Sequence, residues 1–385
     1  MGLSASNSLA ASHNKFSSQL YQTITQKKQK ENVVFSPVSI YLAMLMATSG
    51  ANGESLTELV NGLGIDKAPS TIEEWRQIVE PFATTFYSNL NTSILNVANN
   101  AFVEQNATLD GKYKDHVKKA FQAQVTQCDF AGNAEGETKK INEWVSSKTN
   151  QMIKDLIEPG LLTSLTRLVL VNAIHFLGAW KKAFDKENSY NGTFYGAEGE
   201  NTCRMMSKSD SKEQYGSEGG YHWVTLPFSD VKYKMTIVAV KDQSFQQTLD
   251  GWVAQKLNQG IDTAFPTNEA KLSSFRFPAF ELEQGLELSE ILQSAPFNIK
   301  KPFTNEADFS NLLTKEDIFI DKVIHKAAIK VDEAGAEASA ATAIVMRTLS
   351  YDPNQISFIA ESPFTFVLSD DSSKTVLFVG KVNKL

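Results

Sequence analysis

The sequence predicts a mixed α+β protein built as one domain, and three observations predict it. Helix-type periodicity crowds into the first 160 residues, strand-type runs dominate the remainder, and no Pro-, Gly- or Ser-rich linker divides the 385 residues. With 42% hydrophobic and 21% charged residues, the composition is that of an ordinary globular protein, long enough to bury a large core.

The elements follow in order. Phe16, Leu20 and Ile24 fall four apart and mark one face of a first helix. Ser36 offers a cap, and Pro37 lacks only a donor that the first helical position leaves unpaired anyway, so a second helix starts there. It stays apolar through Ile40, Leu42, Met44 and Leu45 up to Gly50, which predicts a buried helix. Asn142 to Ile157 reads as an amphipathic helix closed by Pro159 and Gly160. Leu168 to Phe176 (LVLVNAIHF) is a continuous apolar run suited to a strand covered on both faces. Val224 to Leu226, Tyr233 to Val240 and Leu272 to Phe280 read as further strands. Phe364 to Leu368 and Val376 to Val382 flank the polar turn 369-SDDSSK-374 as a hairpin.

Several function classes are excluded. The net charge of −7 and the single short run 27-KKQK-30 give no basic footprint for nucleic acid. No run of 18 apolar residues exists, so no membrane span is expected. Cys128 and Cys203 sit in no C-x-x-C motif and read as free thiols. The first 30 residues lack the apolar core of a signal peptide, so the protein is expected either in the cytosol or outside the cell as a processed form. The sequons at Asn91, Asn106 and Asn191 decide nothing. There is no G-x-S-x-G, H-E-x-x-H, Walker loop or G-x-G-x-x-G, and the five histidines (His13, His116, His175, His222, His325) show no metal-ligand spacing. Asp370 and Asp371 fall in a turn and read as solvated. The expectation is no enzyme, no metal and no cofactor.

One segment stands apart, 333-EAGAEASAATAIVMRTLSYDPNQ-355. Alanine content alone favours a short surface helix. A second pattern overlies it. Ala336, Ala338, Ala340, Thr342, Ile344 and Met346 alternate as small or apolar residues, whereas Glu337, Ser339 and Arg347 take the other parity. That is the period of a strand with one buried face. No proline lies between Glu333 and Asp352 to block ladder hydrogen bonds on either side. Helix, loop and central strand all remain open.

Five ordered blocks between Asn32 and Val382 resemble the serpin family. They are 32-NVVFSPVSI-40, 141-INEWVSSKTNQMIKDLI-157, 168-LVLVNAIHFLGAW-180, 324-IHKAAIKVDEAGAEASAAT-342 and the pair 362-SPFTF-366 and 377-LFVGKV-382. Departures are 175-HFLG-178, 277-FPAF-280 and an end at Leu385 without the common Pro-containing tail. The resemblance implies a single serpin domain over 10–385, with three β-sheets, about nine helices and an exposed reactive-centre loop at about 333–355. It implies a suicide-substrate inhibitor of a serine-type endopeptidase: the protease cuts the loop, the cut loop enters the main sheet as a new strand, and the trapped protease stays covalently bound.

The resemblance also assigns sites. Asn32, Ser36, Pro37, Ser39, Asn172 and His325 match the family's shutter, and Trp180 its breach. Glu333, Gly335, Ala336, Glu337, Ala338, Ser339, Ala340, Ala341 and Thr342 match the hinge. Family spacing from Glu333 places the reactive bond at Leu349–Ser350, with Arg347–Thr348 as the competitor and Tyr351 a third option. Leu349 suits a chymotrypsin-, cathepsin G- or elastase-like target, Arg347 a trypsin-like one. A papain-like cysteine protease is a further alternative, as is a non-inhibitory chaperone or carrier. Loop spacing resembles the leaderless intracellular branch, and a monomer is expected. Lys114, Lys118 and Lys119 lie near a family glycosaminoglycan region but are diluted by Asp110 and Asp115, so they read as a solvated face.

Overall fold

The computed structural model describes residues 2–66, 69–315, 317–335 and 355–385. The first elements are mainly helical: α1 (Gly2–Lys27), β1 (Val33–Phe35), α2 (Pro37–Thr48), α3 (Gly53–Gly62), α4 (Ile72–Ser88), β2 (Leu95–Glu104), α5 (Gly111–Phe121), β3 (Gln124–Cys128), α6 (Phe130–Lys148) and β4 (Leu168–Phe176). Strands then prevail: β5 (Tyr190–Gly196), β6 (Gly199–Glu218), β7 (Tyr221–Pro227) and β8 (Tyr233–Val240) precede α7 (Leu249–Gln259) and α8 (Ile261–Ala264). After β9 (Asn268–Pro278), β10 (Phe280–Glu287) and α9 (Ser289–Gln293) come β11 (Lys322–Val331), β12 (Ile356–Ile359), β13 (Phe364–Asp370) and β14 (Thr375–Val382). The nine α-helices among the described residues agree with the number expected. None is long and apolar enough to cross a membrane.

The chain forms two compact units, one of residues 1–19, 35–175 and 283–328, the other of 20–34, 176–282 and 329–385. The first unit carries the five-stranded sheet, in the order β10-β11-β4-β2-β3. β2 and β3 are parallel, with Asn100 opposite Gln124 and Glu104 opposite Cys128. α2 starts as its sequence predicts: the Ser36 side chain accepts from the Ser39 N–H, Pro37 opens the first turn, and every residue of the helix is buried. Phe16 of α1 packs against Tyr41 and Phe297 with ring centroids 5.4 and 5.3 Å apart.

α6 departs from expectation: it begins at Phe130 and stops at Lys148. Asn150 and Gln151 turn into the left-handed region, with φ of 51° and 62°, and the helix ends well before Pro159. The Asn142 side chain then takes over the pairing of the Ile157 backbone, donating to its carbonyl and accepting from its N–H, each at 2.9 Å. Ile153, Leu156 and Ile157 are buried with Ile141 and Val145, so the apolar spacing that suggested a longer helix belongs to a loop folded onto the same core.

The second unit carries the nine-stranded sheet, ordered β1-β14-β13-β8-β7-β6-β9-β12, with β5 on β6. β6 is 20 residues long. It pairs with β5 through its first part, Tyr190 facing Met205. Its last residues pair with β7, Glu218 facing Tyr221. This one strand joins what would otherwise be two sheets, so two sheets rather than three stand separately among the described residues. The C-terminal hairpin is tighter than its turn sequence suggests, because pairing continues to Asp370 opposite Thr375.

Candidate functional site

β4 and β11 are hydrogen-bonded neighbours in the middle of the five-stranded sheet. β4 contributes Asn172 and β11 contributes His325, both buried polar side chains. Buried polar groups need partners, and these find each other. The His325 Nδ1–H donates to the Asn172 Oδ1. The other ring nitrogen, Nε2, accepts the Ser36 N–H at 3.0 Å. The Asn172 amide donates to the Ser39 carbonyl at 3.1 Å, to the Ser39 hydroxyl and to Asn99 Oδ1. Asn99 in turn donates to the Tyr87 hydroxyl at 2.6 Å. The result is a polar clasp tying two central strands to the start of α2 and to β2.

Of the shutter residues named from sequence, Ser36, Ser39, Asn172 and His325 come together, with Pro37 setting the helix start between them. Asn32 binds the backbone of the last residues: it donates to the Lys384 carbonyl at 2.8 Å and accepts from the Asn383 and Lys384 N–H groups at 2.7 and 2.9 Å. Asn99 and Tyr87 were missed. The signal available was an amide pair, Asn99–Asn100, inside the apolar run of β2.

Burial lowers the pKa of His325 from 6.5 to about 3. The clasp requires this neutral form, because a proton on Nε2 would confront the Ser36 N–H. The folded pKa lies below the unfolded one, so the stabilisation is complete above pH 6.5 and declines as pH falls towards 3, by about 2 kcal/mol at pH 5. We expect the urea midpoint to drop between pH 7 and pH 5, and His325→Gln to flatten that slope. Identical slopes in the two proteins would disprove the assignment, since His13, His116 and His222, each lowered by burial to about 4, are common to both.

The second unit contains Glu333 and Gly335, two of the residues matched to the family's hinge. Just after β11 the chain reverses in a tight turn: the Asp332 N–H donates to the Gly335 carbonyl at 3.0 Å, and the Gly335 N–H to the Asp332 carbonyl at 3.2 Å. Trp180 holds this turn with two donors, Nε1–H to the Asp332 carbonyl and its backbone N–H to the Ala334 carbonyl, both 2.9 Å. Its ring stacks on Phe228, with centroids 4.5 Å apart. Phe184 donates its N–H to the Glu333 carbonyl at 2.8 Å. Gly335 has φ of 126°, and a Cβ there would lie 2.4 Å from the Gly178 carbonyl oxygen and 2.5 Å from the Trp180 nitrogen. Only glycine fits.

Ala336, Glu337, Ala338, Ser339, Ala340, Ala341 and Thr342, and both candidate bonds, Leu349–Ser350 and Arg347–Thr348, lie outside the described residues. The described chain resumes at Gln355, and β12 then runs parallel to β9. Cys128 and Cys203 are free. Burial pushes the Cys128 thiol up to about 12, so it is a poor nucleophile. Among the described residues no group of His, Cys, Asp and Glu is arranged to hold a metal.

A family model described as Serpin (serine protease inhibitor) matches residues 11–385. Serpin-Z2A of Triticum aestivum is 30% identical over 385 residues, covering 97% of this chain and 95% of its own. The solved structure of cleaved Serpin 42Da is similar with a TM-score of 0.83 at 29% identity, covering 99% of both chains. Human thyroxine-binding globulin, solved with its hormone, gives a TM-score of 0.84 at 21% identity over 99% of both chains, a likeness of fold alone. With a family match that spans the two sheets, the clasp and the hinge, the chain belongs to the serpin family.

Proposed function

We propose that the protein inhibits a serine protease as a suicide substrate. The target attacks Leu349–Ser350, with Arg347–Thr348 the alternative bond, and the severed segment enters between β4 and β11. The observation that carries this reading is the clasp. The two central strands share side-chain hydrogen bonds that can be remade, and the chain leaving β11 continues into a segment whose even positions are small or apolar and uncharged. A loop entering as a central strand gains ladder bonds on both edges. At about 0.5–1.5 kcal/mol net each, a dozen bonds give on the order of 10 kcal/mol, comparable to the whole stability of a typical domain. Insertion of this kind is the established behaviour of inhibitory serpins.

Leu349 suits a chymotrypsin-, cathepsin G- or elastase-like enzyme, and the inhibitor works as a monomer without catalysing turnover. A carrier role is the less favoured reading, because the hinge run Ala336 to Thr342 holds no proline and no bulky apolar side chain.

Incubation with chymotrypsin is expected to give an SDS-resistant complex and to release a fragment beginning at Ser350. Protein nicked in the loop is expected to melt roughly 20 °C higher, at about 2 °C per kcal/mol. A nicked protein with unchanged melting temperature, and a protease that departs active, would refute the proposal.

A further inference from the structure

We propose that the C-terminal end of β2 carries a binding site for a small apolar amino acid, held as a zwitterion between Glu104, Asp317 and Arg167. The inference does not depend on the inhibitor reading. Glu104 closes β2 after Ala101, Phe102 and Val103, and like them it is buried, with 7% of its surface exposed. Its backbone is fixed from both sides: its N–H donates to the Arg167 carbonyl at 2.9 Å, and Cys128 of β3 lies opposite it. Its carboxylate is only half satisfied. Oε2 accepts the Ala131 N–H at 3.0 Å, one of the donors that the first turn of α6 cannot pair within the helix. Oε1 is buried and has no hydrogen-bond partner among the described residues. A buried carboxylate oxygen left in this way is costly, and in a native fold it marks a place for a ligand, an ion or water.

Glu104 lines a cavity of about 240 Å³ whose other walls are set by pairing remote in sequence. The Asp110 N–H donates to the Leu312 carbonyl at 2.8 Å and the Thr314 N–H to the Thr108 carbonyl at 2.9 Å, which seats residues 107–110 against 312–314. Ala107, Leu313 and Ile318 give the cavity a buried apolar wall. A water molecule takes about 30 Å³ and needs two to four polar partners, so water filling the space along that wall would be poorly held. Two further charged groups border the cavity, Arg167 and Asp317. Arg167 Nη1 donates to the carbonyls of Ser164 and Thr166 at 3.0 and 2.9 Å, which anchors one of the three guanidinium nitrogens and holds the fork in place. These charges select the solute. Two carboxylates call for a cation with N–H donors, and a guanidinium calls for a carboxylate that it can meet with paired bonds. An α-amino acid carries both groups on one carbon and leaves an apolar side chain for Leu313 and Ile318. A simple amine would leave Arg167 unanswered, and a simple carboxylic acid would leave Glu104 and Asp317 so.

The test follows the melting temperature of the intact full-length protein at matched ionic strength. L-leucine at about 10 mM is expected to raise it by about 2 °C, as binding with a Kd of about 1 mM would do. Isopentylamine, which lacks the carboxylate, and isocaproate, which lacks the ammonium, should each give less than half that shift. Glu104→Gln should abolish the leucine shift, because an amide offers the ammonium no carboxylate. Asp317→Asn changes an exposed residue and covers the case in which the buried variant folds poorly; it should at least halve the shift. No shift with leucine in the wild type, or equal shifts in the wild type and both carboxylate variants, would refute the site. A shift from the amine or the acid as large as that from leucine would refute the zwitterion assignment.

Discussion

Asn172→Ala is expected to lower the stability of the native protein by about 3–5 kcal/mol, which is a large share of what a domain possesses. The reason is the position of the side chain at the centre of the clasp. Its removal strands the His325 Nδ1–H, the Asn99 Oδ1 and the Ser39 hydroxyl at once, all in buried surroundings. Each unsatisfied buried group costs about 1–3 kcal/mol, and water admitted to the space recovers part of the total. Ser39→Ala removes only one acceptor on the periphery and is expected to cost about 1 kcal/mol. The two variants should also differ in kind. Without Asn172, β4 and β11 lose a side-chain bond made directly across the pair, so on the proposed reading the variant should lose inhibitory activity on storage at 37 °C through premature insertion, faster than Ser39→Ala. Urea midpoints and timed activity assays measure both effects. Equal midpoints for Asn172→Ala and Ser39→Ala would show that the clasp is not organised around Asn172.

The strands were legible because their chemistry is local. LVLVNAIHF reads as a doubly covered strand without reference to anything else, and β4 runs over those same residues. The start of α2 was legible for the same reason, since cap and proline are adjacent. The clasp was legible only in part. Asn172 and His325 meet across 153 positions of sequence, and a period of two shows which face a residue takes but not what lies opposite it. Family resemblance supplied the pairing that periodicity could not. Asn99 escaped both. The end of α6 was misjudged because the apolar spacing of Ile153 and Ile157 suits a loop packed on the core as well as it suits a helix. Alanine propensity and two-residue parity gave conflicting readings of residues 336–346, and the proposed insertion, which needs the segment to take two conformations, would call for both signals.

That conflict yields the sharpest expectation for activity. Ala340→Asp should convert the protein from inhibitor to substrate, cleaved at the same bond but retaining no protease, whereas Ser339→Asp should leave trapping largely intact. The two substitutions place the same charge at neighbouring positions, so composition, propensity and net charge do not separate them; only parity does. In an inserted strand the even positions face inward, and a buried unpaired carboxylate costs several kcal/mol. Every 1.4 kcal/mol on the insertion barrier slows entry tenfold, so a penalty of about 4 kcal/mol slows it roughly a thousandfold while release of the acyl-enzyme by water proceeds unchanged. The competition then goes to hydrolysis. Ala338→Pro should fail by a different route, because it removes a ladder donor in the middle of a central strand, a place where proline is essentially not tolerated. The number of inhibitor molecules consumed per protease inactivated measures all three, rising steeply for Ala340→Asp and Ala338→Pro and little for Ser339→Asp. Equal values for the two aspartate variants would mean that the segment enters no sheet with one face buried, and the alternation along residues 336–346 would then be an accident of an alanine-rich loop.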